Sequence, residues 1–201
     1  MPRFSVADAR ACNISRTNVV SLPATGCDVR GRKRVARPGD YPPPRAASKK
    51  IRMFQIRNVP PAELPLDLLL LADPSEQRIR RYLGGAHTFV GVKDAVTVSV
   101  LVLRLHDAAR AEIMNISVAE ACQRAGIGRA MLEFAATYAK ERGALRLDVG
   151  TGNSSFGELR FYQRLGFRVT DVSPDYFVDY HPPIVEEGVR CLDMIHLTRA
   201  L

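Results

Sequence analysis

The sequence predicts a mixed α/β (α+β) fold, with a mostly antiparallel central sheet flanked by helices. Three observations carry that expectation. Alternating apolar segments cluster as three consecutive strands between residues 87 and 118, joined by short turns. Helical periodicity then alternates with strand periodicity to the end of the chain. The resulting order is β-α-α-β-β-β-α-β-α-β-β, an antiparallel meander followed by crossovers.

Each element has a local reason. "FQIRNV" (Phe54–Val59) alternates as a strand. "AELPLDLLLLA" and "DPSEQRIRRYL" read as two short helices, the second with Asp73 as its expected N-cap and Pro74 at its first position. Gly84-Gly85 breaks the chain. "HTFVGV", "AVTVSVLVLRL" and "RAEIMNISV" are rich in β-branched residues, with turns expected at Lys93-Asp94 and Asp107-Ala108. "GIGRAMLEFAATYAKERG" places Met131, Ala135 and Tyr138 on one stripe, offers an Arg129–Glu133 pair at i,i+4, and has Gly143 at C′. Strand "LRLDVG", helix "SSFGELRFYQRLG", strand "FRVTDV" and a last strand near "VRCLDMIHLT" follow.

Charge divides the chain. The net charge is +8, but residues 1–52 hold twelve Lys and Arg against three Asp and Glu, and the remainder is nearly neutral. The segment Arg30–Lys50 is rich in Arg, Pro and Gly and follows neither period, so it is expected to be disordered. Three readings of 1–52 stay open: a tail for nucleic acid or an acidic partner, a transit peptide, or translated sequence upstream of a start at Met53. The folded domain is expected over 53–201. No apolar run approaches the roughly eighteen residues of a membrane span. Cys12, Cys27, Cys122 and Cys191 have neither metal nor redox spacing, which suits reduced thiols in the cytoplasm. His87, His106 and His196 likewise have no metal-ligand spacing, so no metal is expected.

"QRAGIG" (Gln123–Gly128) lies between a strand and a helix. Glycines there remove Cβ atoms, so backbone N–H groups at the positive end of the helix can face an anion. Diphosphate is the natural guest, with Arg124 and Arg129 adding charge. No Walker loop occurs. Asp148, twenty residues after Gly128, suits a dinucleotide site, but Met131 occupies the third glycine position and the meander lacks repeated βαβ units.

"Q-R-A-G-I-G" resembles the Q/R-x-x-G-x-G/A signature of the GNAT superfamily of acetyl-CoA-dependent N-acetyltransferases. "FYQRLGF" (Phe161–Phe167) is similar to its second signature, Y-x-x-x-G-F. The resemblance covers essentially 53–201, and "GTGNSSFGELRFYQRLGF" further resembles a poorly characterised bacterial branch. It implies a GNAT-type sheet and acetyl-CoA as co-substrate. It also implies transfer to a primary amine of a small molecule or peptide, by direct attack in a ternary complex.

Carried over by position, the backbone of Gln123, Arg124, Ala125, Gly126, Ile127, Gly128 and Arg129 would cradle the pyrophosphate. That of Ile116, Ser117 and Val118 would pair with the pantetheine arm and polarise the thioester carbonyl. Tyr162 would protonate the leaving thiolate. Glu112, in "AEI", would be the general base, expected on one strand face with Met114, Ile116 and Val118; pairing with Arg110 or Arg104 would be its structural alternative. The family's asparagine position holds Ser155, which leaves Asn153 to contact the cofactor or cap the helix. Tyr176, Asp179, Tyr180, Glu186 and Glu187 either line an acceptor pocket for a cationic amine or are solvated loop groups. Partners left open are the amine acceptor, a second copy of the chain, and nucleic acid through the tail alone. A non-catalytic acyl-CoA sensor is the rival function.

Overall fold

The computed structural model describes residues 54–106 and 109–201; the expected disordered tail and the turn at Asp107-Ala108 lie outside the described residues. The elements are β1 (Phe54–Asn58), α1 (Leu66–Ala72), α2 (Glu76–Leu83), β2 (His87–Lys93), β3 (Val96–Leu105), β4 (Arg110–Val118) and α3 (Ile127–Lys140). They continue with β5 (Arg146–Gly152), α4 (Phe156–Arg164), β6 (Arg168–Ser173), β7 (Val185–Glu186), β8 (Val189–Arg190) and β9 (Met194–Ala200). This is the expected order with a small hairpin, β7–β8, added before the last strand. Seven strands form one sheet in the order β1-β2-β3-β4-β5-β9-β6. Every neighbouring pair is antiparallel except β4 and β5. The crossover through α3 explains that exception, since parallel neighbours need a long connection.

Both sheet faces are covered. On one, Met131, Leu132, Ala135 and Ala139 of α3 pack with Leu101, Leu103, Ile113, Leu147 and Leu197. On the other, Leu68 and Leu69 of α1 and Ile79 of α2 pack with Val90, Val100 and Val102. Strand β3 therefore supplies both layers by alternation, as a strand buried on both faces must.

Several local expectations are corrected. Helix α2 is capped by Ser75, whose Oγ accepts from Arg78 N at 3.3 Å, while Asp73 ends α1 and accepts from Ser75 N at 2.9 Å. Pro74 therefore sits between the helices. The β2–β3 turn is centred one residue later, on Asp94 and Ala95, both at positive φ, as a two-residue hairpin matching the sheet twist requires. Glu133 pairs not with Arg129 but with Arg199 of β9, at 3.1 Å. Gly143, at φ +88°, does close α3, with Ala144 N donating to Ala139 O at 3.1 Å.

Strand β4 departs most consequentially. Val102 pairs with Asn115 but Leu103 with Ile113, so Met114 is an extra residue, a β-bulge. The bulge breaks period 2. Ala111, Ile113, Ile116 and Val118 all pack on the α3 side, while Met114 joins the α1–α2 layer. Glu112 pairs in register with Arg104, whose guanidinium reaches the carbonyl of Tyr82 in α2. Glu112 thus shares a face with Met114 but not with Ile116 and Val118.

Met131 is fully buried and touches only core. Met131→Ala is expected to lower unfolding free energy by about 2–5 kcal/mol through lost burial and a residual cavity. Denaturant unfolding checks this; a loss under about 0.5 kcal/mol, typical of a surface position, would contradict the packing.

Candidate active site

The site begins where two strands part. The parallel ladder of β4 and β5 runs only from Arg110–Arg146 to Ile113–Val149, though β4 continues to Val118 and β5 to Gly152. Beyond Ile113 the β5-facing edge of β4 has no strand partner among the described residues. A cavity of about 1150 Å³ occupies this region. It is walled by both strand ends, by the loop before α3, by α4, by α1–α2, and by the segment before β9.

Of the residues singled out in the sequence, Glu112, Ile116, Ser117, Val118, Gln123, Arg124, Gly126, Gly128, Arg129 and Tyr162 line this cavity together. Three do not. Ala125 is exposed beside it, and Ile127 is buried beneath α3. Asn153 neither caps α4 nor faces the cavity lining; its Oδ1 accepts from Leu192 N at 2.8 Å and Asp193 N at 3.0 Å. That side chain anchors the segment leading into β9.

The loop Gln123–Arg129 has the backbone of an anion cradle. Arg124 and Gly126 both take positive φ, +58° and +87°, and α3 begins at Ile127. Left-handed residues interspersed with ordinary ones turn successive N–H groups toward one point, where the helix dipole adds positive potential. The two glycines differ. Gly126 supplies the conformation, whereas a Cβ at Gly128 would meet Phe161 and Val118 only at ordinary contact distances, 3.5 and 3.7 Å. Gln123 turns its amide back to donate to Val118 O at 3.1 Å, fixing loop to strand. The Ser117 hydroxyl is spent on Leu68 O at 2.6 Å, so only its backbone remains for a ligand.

Glu112 belongs to an ion-pair network. Its Oε2 lies 2.8 Å from His106 Nε2 and accepts from Arg110 Nη2 at 3.1 Å. Asp148 continues the network, 3.7 Å from Arg110 Nε and 3.4 Å from Arg146 Nε, and accepts from the Thr198 hydroxyl at 2.7 Å. The acid that suited a ribose is therefore engaged in tying β4, β5 and β9 together.

Tyr162 is buried against Phe161 and Phe167, with ring centroids 5.4 and 5.7 Å away. Burial, helped by the charge of Glu158, pushes its phenol well above the usual tyrosine range. The phenol therefore carries its proton at neutral pH.

The wall on the α2 side was the least legible. Tyr176, Tyr180 and Glu186 line the cavity as anticipated, but Asp179 and Glu187 do not. Arg78, Arg81, Tyr82, Arg104 and Asn115 line it too, and none was a candidate from sequence. The available signal was the i,i+3 spacing that puts Arg78 and Arg81 on one face of α2. Among the described residues no group of three His, Cys, Asp or Glu could hold a metal, and no helix is long and apolar enough to cross a membrane.

The family model of the Acetyltransferase (GNAT) family matches residues 54–167. An uncharacterized N-acetyltransferase, YvbK, of Bacillus subtilis (strain 168) is 38% identical over 132 residues, 65% of this chain and 85% of that protein. The solved structure of an IAA acetyltransferase from Bacillus cereus ATCC 14579 superposes with a TM-score of 0.72 at 42% identity, covering 74% of this chain and all of that one. A GNAT family acetyltransferase from Elizabethkingia anophelis, solved with acetyl-CoA bound, gives 0.70 at 41% identity, covering 74% and 98%.

Three phenols carry a pH signature. Burial is the largest cause raising Tyr82, Tyr162 and Tyr180, against Asn115's hydrogen bond at Tyr82 and with Asp73 reinforcing Tyr180. The folded state thus holds protons that the unfolded chain releases above its ordinary value of 10.0. Their contribution to stability is present below that pH and lost as pH climbs past it. The urea midpoint should fall steadily above about pH 10, and Tyr162→Phe should flatten part of the slope. A midpoint independent of alkaline pH would contradict the burial of these groups.

Proposed function

Because the chain belongs to the GNAT acetyltransferase family, we propose that it transfers the acetyl group of acetyl-CoA to a primary amine of a small molecule or peptide. The transfer is direct, in a ternary complex. The observation that carries this reading is the parting of β4 from β5 beside the Gln123–Arg129 loop. An unpaired strand edge and an anion cradle side by side suit a ligand with an amide-bearing arm and a diphosphate. The acetyl-CoA bound to the Elizabethkingia relative supports the same choice.

The residues divide the work as follows. Backbone amides of Gln123–Arg129 hold the diphosphate, with Arg124 and Arg129 adding charge. The backbone of Ile116–Val118 pairs with the pantetheine arm, and an N–H near Ser117–Val118 holds the developing oxyanion. Glu112, directly or through water, takes the proton of the attacking amine. The amine nitrogen bonds to the acetyl carbon, the carbon–sulfur bond breaks, and Tyr162 protonates the thiolate. The pairing of Glu112 with His106 and Arg110 supports the role by holding the carboxylate at the cavity wall. The transferase unit is residues 53–201, with 1–52 a basic extension.

Free-thiol release from acetyl-CoA, measured across amines, polyamines, aminoglycosides and peptides, tests the reading. Acetyl-CoA, but not NAD, should raise Tm, by about 2.7 kcal/mol of stabilisation at a hundredfold excess over Kd. Binding without thiol release would instead support an acyl-CoA sensor. Gly126→Val forces a branched side chain into left-handed backbone and crowds the cradle. It should weaken acetyl-CoA binding at least about tenfold while far-UV circular dichroism is unchanged; equal affinity would remove the cradle. Glu112→Gln should lower kcat by about 10²–10⁴-fold and abolish the acid limb of the pH–rate profile. An unaltered profile would assign Glu112 to structure alone.

A further inference from the structure

We propose that the acetyl acceptor carries an anionic group, carboxylate or phosphate, and that Arg78 and Arg81 bind it at the α2 wall of the cavity. This deepens the transferase reading and rests on it. Arg78 and Arg81 stand three residues apart on α2, and Arg104 of β3 reaches toward the same helix, donating to Tyr82 O at 2.9 Å and Gly84 O at 3.2 Å. All three arginines line one cavity. Like charges gathered in a concave, partly desolvated wall repel one another unless a counter-charge is supplied.

Four carboxylates line the same cavity, those of Asp73, Glu112, Glu158 and Glu186. Among the described residues none of these three arginines forms an ion pair with a carboxylate. Three of these acids make their hydrogen bonds elsewhere. Asp73 Oδ1 accepts from Ser75 N and from the Tyr180 hydroxyl, at 2.9 and 3.1 Å. Glu186 Oε2 accepts from the hydroxyls of Ser154 and Ser155, at 2.6 and 2.8 Å. Glu112 is held by His106 and Arg110. Glu158 belongs to α4, one turn before Tyr162 rather than beside α2.

Arg78 is also oriented for binding. Its guanidinium lies 4.5 Å from the ring centroid of Tyr180 and 5.0 Å from that of Tyr176. These cation–π contacts hold the guanidinium, whose fork of N–H donors matches a carboxylate or phosphate in bidentate fashion. The amine end has a place as well. Glu112 is the cross-strand partner of Arg104, so the base and the arginine wall are neighbours on one face. A small molecule with an amine at one end and an anion at the other fits both.

Matched acceptors test this. Wild-type kcat/KM is compared for L-tyrosine against tyramine and for phosphoethanolamine against ethanolamine, each at equal concentration of unprotonated amine. In at least one pair the anionic member should be favoured at least about tenfold, an advantage that shrinks as salt rises. Which pair shows it separates carboxylate from phosphate. In Arg78→Ala/Arg81→Ala the preference should fall toward one while the thermal shift with acetyl-CoA persists. Should the double variant not fold, Arg81→Gln alone, at an exposed position, should lower the preference severalfold. If acetyl-CoA binds and neither anionic member outruns its neutral partner, or if folded variants keep the full preference, the proposal is overturned. Failure of acetyl-CoA to raise Tm of the unaltered protein removes the transferase reading itself.

Discussion

The extra residue at Met114 is the constraint on which the cavity depends. The parallel ladder between β4 and β5 ends at Ile113–Val149, one residue before the bulge. A bulge increases local twist and bends the strand that carries it. Past that point β4 keeps β3 on one side and loses β5 on the other. Buried backbone polar groups left without a strand must find partners elsewhere, and an extended ligand arm can provide them as an added strand does. The same residue divides the strand's side chains. Glu112 faces α2, whereas Ile116 and Val118 face α3, so the proposed base and the proposed oxyanion amide come from opposite sides of one register break.

Electrostatics ties this opening together at its closed end. Arg110 bridges Glu112 and Asp148, and Asp148 also engages Arg146 and Thr198, so three strands, β4, β5 and β9, are linked where the ladder is still intact, with His106 just beyond β3 joined to them. These groups remain between 19% and 53% exposed, which keeps each pair's contribution modest. Their value is geometric. They hold the closed end of the cleft while the other end stays apart, and they fix a carboxylate at the wall of the cavity.

Much of this was legible because it is local. The order of elements follows from periodicity and turn residues, and all nine residues of β4 coincide with "RAEIMNISV". The glycine loop announced itself by residue type, although only Gly126 has a conformational reason, its positive φ. What periodicity could not reveal was the bulge. No glycine or proline marks Met114, so strict alternation placed Glu112 with Ile116. Asn153 shows the converse failure: a side chain matched by position alone was needed for the backbone of Leu192 and Asp193, forty residues away. Capping of α2 by Ser75 instead of Asp73 was a choice between two neighbouring cap formers, decided by where α1 ends.

The two halves of the cavity also differ in how sequence encodes them. The half proposed for the cofactor is nearly contiguous, the end of β4, the loop and the start of α3, and its work is done mostly by backbone. Side chains there can vary while N–H groups stay in place, which is why a short signature can mark it. The opposite half is assembled from α1 and α2, from Arg104 and Glu112 across one strand pair, and from Tyr176 to Met194. Its chemistry lies entirely in side chains brought together by the fold. A shared fold therefore carries over the first half more faithfully than the second, because function resides in the groups a scaffold presents. For this chain the presented groups are arginines and tyrosines together with the carboxylates of Asp73, Glu112, Glu158 and Glu186, and the proposed acceptor, an amine bearing negative charge, would be recognised by these side chains and not by the fold.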